Sequence, residues 1–169
     1  MQQFAIYSLQ LHIDKLNSEL LTGFRNWQNS PDIRRTHLFN GRYENIYLDA
    51  SHIPALAELV QTCTNQARDY LDIEALKTGY WFNAMPPGAV TTRHSHDDDD
   101  ELLSGVYYVH VPSDSGDLIL YDAEPPTRIT PVTGQLIFFP PNIDHEVTRN
   151  NSSEDRLSIG MNFGPRYED

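Results

Sequence analysis

A chain of 169 residues suits one domain, and 39% hydrophobic with 21% charged residues supplies a sizeable core for an ordinary globular protein. Twelve basic against 24 acidic residues give a net charge of −12, which repels phosphate backbones and anionic lipid and so excludes nucleic acid and membrane as natural partners. The same balance favours a substrate that carries a cationic group. The single cysteine, Cys63, excludes an internal disulfide framework and reads as a buried structural thiol in a reducing compartment. No basic region followed by an apolar run opens the chain, and no stretch approaches the roughly 18 apolar residues of a membrane span. The expectation is a cytoplasmic protein.

In chain order, Phe4 to Leu11 alternates as a short strand would. Leu16, Leu20, Phe24 and Trp27 recur at helical spacing. A second helical stripe runs through Leu56, Leu59, Val60, Cys63, Ala67, Tyr70 and Leu71, with Ser51 as its predicted N-cap. Both stripes read as packing faces. Residues 31–50 between them are polar and irregular, with a short strand predicted near Tyr47. From Leu76 onward, apolar runs of strand length are punctuated by Pro-Pro-Gly, Ser-Asp-Ser-Gly, Thr-Gly and Pro-Pro-Asn. Strands are predicted over 76–85, 90–94, 102–111, 117–121, 128–131, 134–139, 144–149 and 155–163. Eight short strands with regular turns predict a mainly β protein, a jelly-roll with its N-terminal helices packed on the outside. With neither repeat nor linker, the reading is a single domain over 1–169, its first 75 residues supporting a metal-binding core over 76–164. A homodimer is compatible with such a fold.

Three of the seven histidines stand out. His94 and His96 form a His-x-His pair at the end of a predicted strand, where residues i and i+2 project from one face. His145 follows the Gly-bounded apolar strand 134-GQLIFFPPNIDH-145. A pair from one strand and a distant third histidine form a metal centre with open positions, which suits catalysis rather than a closed structural site. His12, His37, His52 and His110 read as surface or satisfied polar residues. No nucleophilic triad, P-loop or dinucleotide fingerprint competes.

The segments 81-WFNAMPPGAVTTRHSH-96, 104-SGVYYVHVPSDSGDLILYD-122, 134-GQLIFFPPNIDHEV-147 and 155-DRLSIGMNF-163 resemble the 2-oxoglutarate and Fe(II)-dependent oxygenases. The likeness is to their small bacterial and phage members and to the aspartyl/asparaginyl β-hydroxylases. It implies a double-stranded β-helix, Fe(II) as metal, 2-oxoglutarate as co-substrate, O2 as oxidant, and hydroxylation of an amino-acid, peptide or small-metabolite substrate. His94 would be the first iron ligand and His145 the last. The family usually places Asp or Glu two residues after the first histidine; here His96 stands there, with a His96-x-Asp98 pair as the alternative. Arg156 occupies the position of the arginine that binds the distal carboxylate of 2-oxoglutarate, a task suited to a guanidinium fork. Ser158, Tyr108, Ser104 and Asn83 are the further co-substrate-binding candidates.

Residues 88–105 and 134–145 also resemble the two cupin motifs, with Asn142 in place of a glycine. That likeness implies a metalloprotein with Glu101 as fourth ligand, either an enzyme or a non-enzymatic small-molecule binder. It does not require Arg156. The run Asp97–Glu101 after the histidine pair reads as a solvated loop, or as an attractor for a cationic substrate group.

Overall fold

The computed structural model describes residues 3–96 and 100–167. Its elements are β1 (Ala5–Ser8), α1 (Ile13–Trp27), β2 (Arg34–Phe39), β3 (Arg42–Tyr47), α2 (Ala55–Leu71), β4 (Leu76–Met85) and β5 (Thr91–His94). They continue with β6 (Leu103–His110), β7 (Leu118–Leu120), β8 (Thr127–Ile129), β9 (Gln135–Phe139), β10 (His145–Val147) and β11 (Arg156–Pro165). A seven-stranded sheet in the order β1-β9-β6-β11-β4-β3-β2 faces a four-stranded sheet in the order β5-β10-β7-β8. Strands β4, β6, β9 and β11 of the larger sheet and the four strands of the smaller one make the eight-stranded double-stranded β-helix. The predicted strands from residue 76 onward correspond to these eight.

The two-residue period of a strand sorts each side chain to one of two interiors. On β11, Leu157, Ile159, Met161 and Phe163 are buried in the core that the larger sheet shares with α1 and α2. The alternate residues Arg156, Ser158 and Gly160 line a cavity between the sheets. On β6, likewise, Tyr107 joins the helix-side core and Tyr108 joins the inter-sheet cluster with Leu118, Leu120, Ile137 and Phe139. The helices present Leu16, Leu20 and Phe24, and Leu56, Leu59, Cys63 and Ala67, to the same sheet face. Burial pushes the Cys63 thiol up to about 12, which keeps it protonated and inert.

Several expectations need correction. Trp27 and Tyr70, placed on the packing stripes, are exposed; Trp27 lies at the end of α1 and packs edge-on against His52, with ring centroids 4.9 Å apart. Ser51 does not cap α2. Its N–H and hydroxyl both donate to Asp49 Oδ1, and Pro54 is the N-cap residue. Residues 34–47 are not irregular: they form the hairpin β2–β3, docked on β4 with Ile46 opposite Phe82. The hairpin escapes a periodicity reading because neither face is apolar. Polar anchors hold it instead. Arg42 donates to Asn83 Oδ1 (2.7 Å), Ala84 O (2.9 Å) and Val90 O (2.8 Å), and Glu44 accepts from the N–H and hydroxyl of Thr92. No helix among the described residues is long and apolar enough to cross a membrane.

Replacing Arg42 with Met removes three charge-assisted hydrogen bonds while keeping the aliphatic stem. Urea unfolding is expected to show a loss of about 2 kcal/mol, with faster amide exchange concentrated in 34–47.

Candidate functional site

The pairing of β5 with β10 sets His94 directly opposite His145. His96 lies two residues past the end of β5, where its backbone N–H donates to Pro141 O at 2.8 Å. The three imidazole centroids stand 4.2, 4.8 and 5.0 Å apart, and ligand nitrogens of all three lie within 4.8 Å of one another. Each Nδ1 is already committed: His94 to Thr92 O (2.6 Å), His145 to Ile143 O (3.1 Å) and His96 to Ser104 Oγ (3.0 Å). A carbonyl only accepts, so in His94 and His145 the Nδ1 carries a proton, and Nε2 is the nitrogen that the neutral ring offers as a ligand. Burial, with the neighbouring imidazoles adding to it, pushes His145 down to about 3 and His96 to about 4. Near neutral pH both are uncharged, as metal ligands must be.

At the deep end of the same cavity lies Arg156, 1% exposed. Its Nη1 donates to Gly116 O (2.7 Å) and Ser115 O (3.3 Å), while its buried Nε has no partner. Among the described residues no carboxylate pairs with it, and burial pulls the guanidinium below its ordinary value. Gly116 is required here: its φ is +107°, and a Cβ would fall 2.4 Å from Thr148 O. The Tyr108 ring lies under the guanidinium at 5.2 Å, its hydroxyl buried without a partner. Burial raises that phenol to about 12, so it is a neutral donor. Ser158 stands opposite Tyr108 in the β11–β6 register and lines the cavity, whose volume is about 50 Å³. A buried cation with no carboxylate in direct contact, its charge only partly offset by Asp117 nearby, beside two underused polar groups fits an incoming carboxylate.

The other candidates fall in different places. Asn83 lines the cavity, but its carboxamide is occupied at both ends, accepting from Arg42 and donating to Thr91 Oγ1 at 2.9 Å. Ser104 hydrogen-bonds His96 rather than lining the cavity. Glu101 does not join the histidine cluster; it borders a separate cleft with Lys77, Asp100 and Asn162. Asp98, with Asp97 and Asp99, lies outside the described residues. Asp100 sits 3.9 Å from Lys77 Nζ and accepts from Tyr167 Oη at 3.1 Å. His12 and His37 are exposed, while His52 and His110 lie against Asp49 and Glu154. Trp81 and Thr92 were missed. Trp81 lies two residues before Asn83, so a two-residue period started from that candidate places it on the same strand face.

A model of the 2OG-Fe(II) oxygenase superfamily matches residues 80–164, the span that holds all three histidines and Arg156. No curated protein sequence matches the chain. Among solved structures, a Pseudomonas putida prolyl-4-hydroxylase is similar over 99% of this chain and 95% of its own, at TM-score 0.69 and 23% identity. A Trichoplax adhaerens prolyl hydroxylase, solved with a hypoxia inducible factor oxygen degradation domain peptide fragment, covers 96% and 84% at TM-score 0.73 and 18% identity. The α-ketoglutarate-dependent carbocyclase SnoK from nogalamycin biosynthesis covers 97% and 80% at TM-score 0.74 and 13% identity. At these identities the likeness establishes the double-stranded β-helix, and the family match adds the chemistry that Fe(II) and 2-oxoglutarate bring to it. The chain belongs to the 2OG-Fe(II) oxygenase superfamily.

Proposed function

We propose that His94, His96 and His145 hold Fe(II) through Nε2, and that Arg156, with Tyr108 and Ser158, receives the distal carboxylate of 2-oxoglutarate. The observation that carries this reading is the Arg156 guanidinium, 1% exposed and without a carboxylate partner, in the cavity that the three histidines share. Fe(II) and 2-oxoglutarate, when bound, supply the oxidising power that puts one oxygen atom of O2 into an unactivated C–H bond. This chain's residues do the rest. Thr92, Ile143 and Ser104 fix the imidazole orientations; Gly116 and Ser115 aim the guanidinium; Tyr108 donates a hydrogen bond beside it. Phe139, Leu118, Val106 and Val147 keep the cavity walls apolar and water sparse.

The substrate in this reading is an amino acid, a peptide residue or a small metabolite. The peptide complex of the Trichoplax adhaerens relative supports the peptide member of that class. The net charge of −12 favours a substrate with a cationic group. Residues 1–75 serve as the support of the core, extending the larger sheet with β1, β2 and β3 and packing α1 and α2 on its outer face.

Anaerobic loading with Fe(II) and 2-oxoglutarate should produce the weak visible charge-transfer band of the chelate. Arg156→Gln is expected to raise the apparent Kd for 2-oxoglutarate about 30-fold or more, the effect of removing one partner of a buried charge pair. A chelate band of equal affinity in the variant would remove the assignment of Arg156.

The histidines also predict a pH effect on the metal-free protein. His96 and His145 titrate near 4 and 3 when folded and near 6.5 when unfolded. Below about 6.5 the unfolded chain therefore binds protons that the folded one refuses. The stability is present above 6.5 and is lost as pH falls toward 4. Urea midpoints between pH 7.5 and 4.5 should fall steadily, and His145→Gln should flatten the slope.

A further inference from the structure

Two aromatic rings touch the histidine cluster. Phe139 is buried against His145, with centroids 4.7 Å apart. Trp81 meets His96 edge to face at 5.4 Å and 81°, and is half-buried. The position of Trp81 depends on a glycine. β4 and β11 pair so that Trp81 stands directly opposite Gly160. Gly160 has no left-handed backbone to justify it, yet a Cβ there would fall 2.5–2.6 Å from Cε2, Cζ2 and Nε1 of the indole. The indole lies across the space that a side chain would fill. Covering a glycine with a cross-strand aromatic is a common way to stabilise a sheet, and it would account for the pair if the ring ended there.

The ring goes further, to the one histidine of the three that lies outside a strand. His94 and His145 sit in paired strands, whereas His96 lies beyond the end of β5 and relies on Ser104 at its Nδ1. Trp81 packs against that imidazole. On its other side the indole lines the cavity, where it and Asn45 of β3 are half-exposed while Arg156, Tyr108 and Ser158 are buried. His94 and His96 are half-buried like the indole, so Trp81 is one wall of the partly open side of the cluster.

We propose that Trp81, seated on Gly160, is a positioning and size-selecting residue: it steadies the His96 imidazole and sets the width of the opening through which a substrate group reaches the metal. This rests on the metal-site reading above and adds to it a restriction to slender substrate groups.

The test uses Co(II) as metal probe in a Trp27→Phe background, so that Trp81 is the emitting tryptophan. Wild-type Trp81 emission should be quenched as Co(II) binds. Gly160→Ala displaces the indole without deleting it and should weaken Co(II) binding about 10-fold, the scale of a lost outer-shell support, with reduced quenching. Trp81→Phe should retain Co(II) affinity within about 3-fold, and Trp81→Ala should match Gly160→Ala. In the Co(II)-loaded proteins, visible titrations with imidazole and 4-phenylimidazole then read the opening. The parent should prefer the smaller ligand by about 10-fold or more, and Trp81→Ala should abolish most of that preference. Unchanged Co(II) affinity and unchanged size preference in both Gly160→Ala and Trp81→Ala, with thermal unfolding confirming that each is folded, would reduce Trp81 to a cover for a glycine. Co(II) binding that survives His94→Ala would instead overturn the metal site itself, and this inference with it.

Discussion

The antiparallel pairing of β5 with β10 is the constraint from which the site follows. It sets His94 opposite His145, and a one-residue slip would send one of the two imidazoles to the far face of the smaller sheet. Register is therefore chemistry here. Two features hold it. β10 is paired on its other side with β7, in register from His145–Leu120 to Val147–Leu118. β5 is tied to the hairpin through Glu44, which accepts from the backbone N–H of Thr92, the residue whose carbonyl also orients His94. One amino acid thus links the edge of the larger sheet to the first histidine of the cluster.

The second constraint is electrostatic. Burying Arg156 without a carboxylate partner is costly, and the fold tolerates it by giving the guanidinium two backbone carbonyls from the turn at Ser115 and Gly116. That turn closes only because residue 116 lacks a Cβ. The cation and the histidine cluster line one narrow cavity, so a dianion bound as proposed would meet charge at Arg156 and the imidazoles beyond it. The sheet built around them is asymmetric: β11 offers four apolar residues to the helices and a polar row to the cavity. The packing core and the proposed site occupy opposite faces of one strand.

Most of the core strands were legible as short apolar runs bounded by Gly, Pro or Asn, whereas β5 (TTRH), β8 (TRI) and β10 (HEV) showed mainly through the turns around them. Both helices were legible from their 3.6-residue stripes. The hairpin β2–β3 was not, since its pairing relies on Arg42 and Glu44 reaching strands some forty residues away, and polar anchors leave no periodic trace. The N-cap of α2 was misplaced for a related reason: Ser51 has the right chemistry, but its hydroxyl and amide are taken by Asp49 in the preceding turn. Among the site residues, Asn83 and Ser104 were candidates for the co-substrate on the family resemblance. Only the coordinates show their hydrogen-bonding capacity committed to Arg42, Thr91 and His96.

By itself the sequence determined the residue types that the chemistry requires and the strands that carry them: two histidines one residue apart, a third after a Pro-Pro turn, and an arginine on the last strand. The histidines follow from local spacing, which a two-residue period converts into shared faces, whereas the arginine was singled out by the family resemblance alone. Tertiary structure decided which nitrogens remain free, whether the arginine finds a partner, and which aromatic ring leans on His96. The nitrogens are set by groups two to eight residues away and the ring by one fifteen residues away, while the arginine's carbonyls lie some forty residues back; none is fixed until the strands pair and the sheets close on each other.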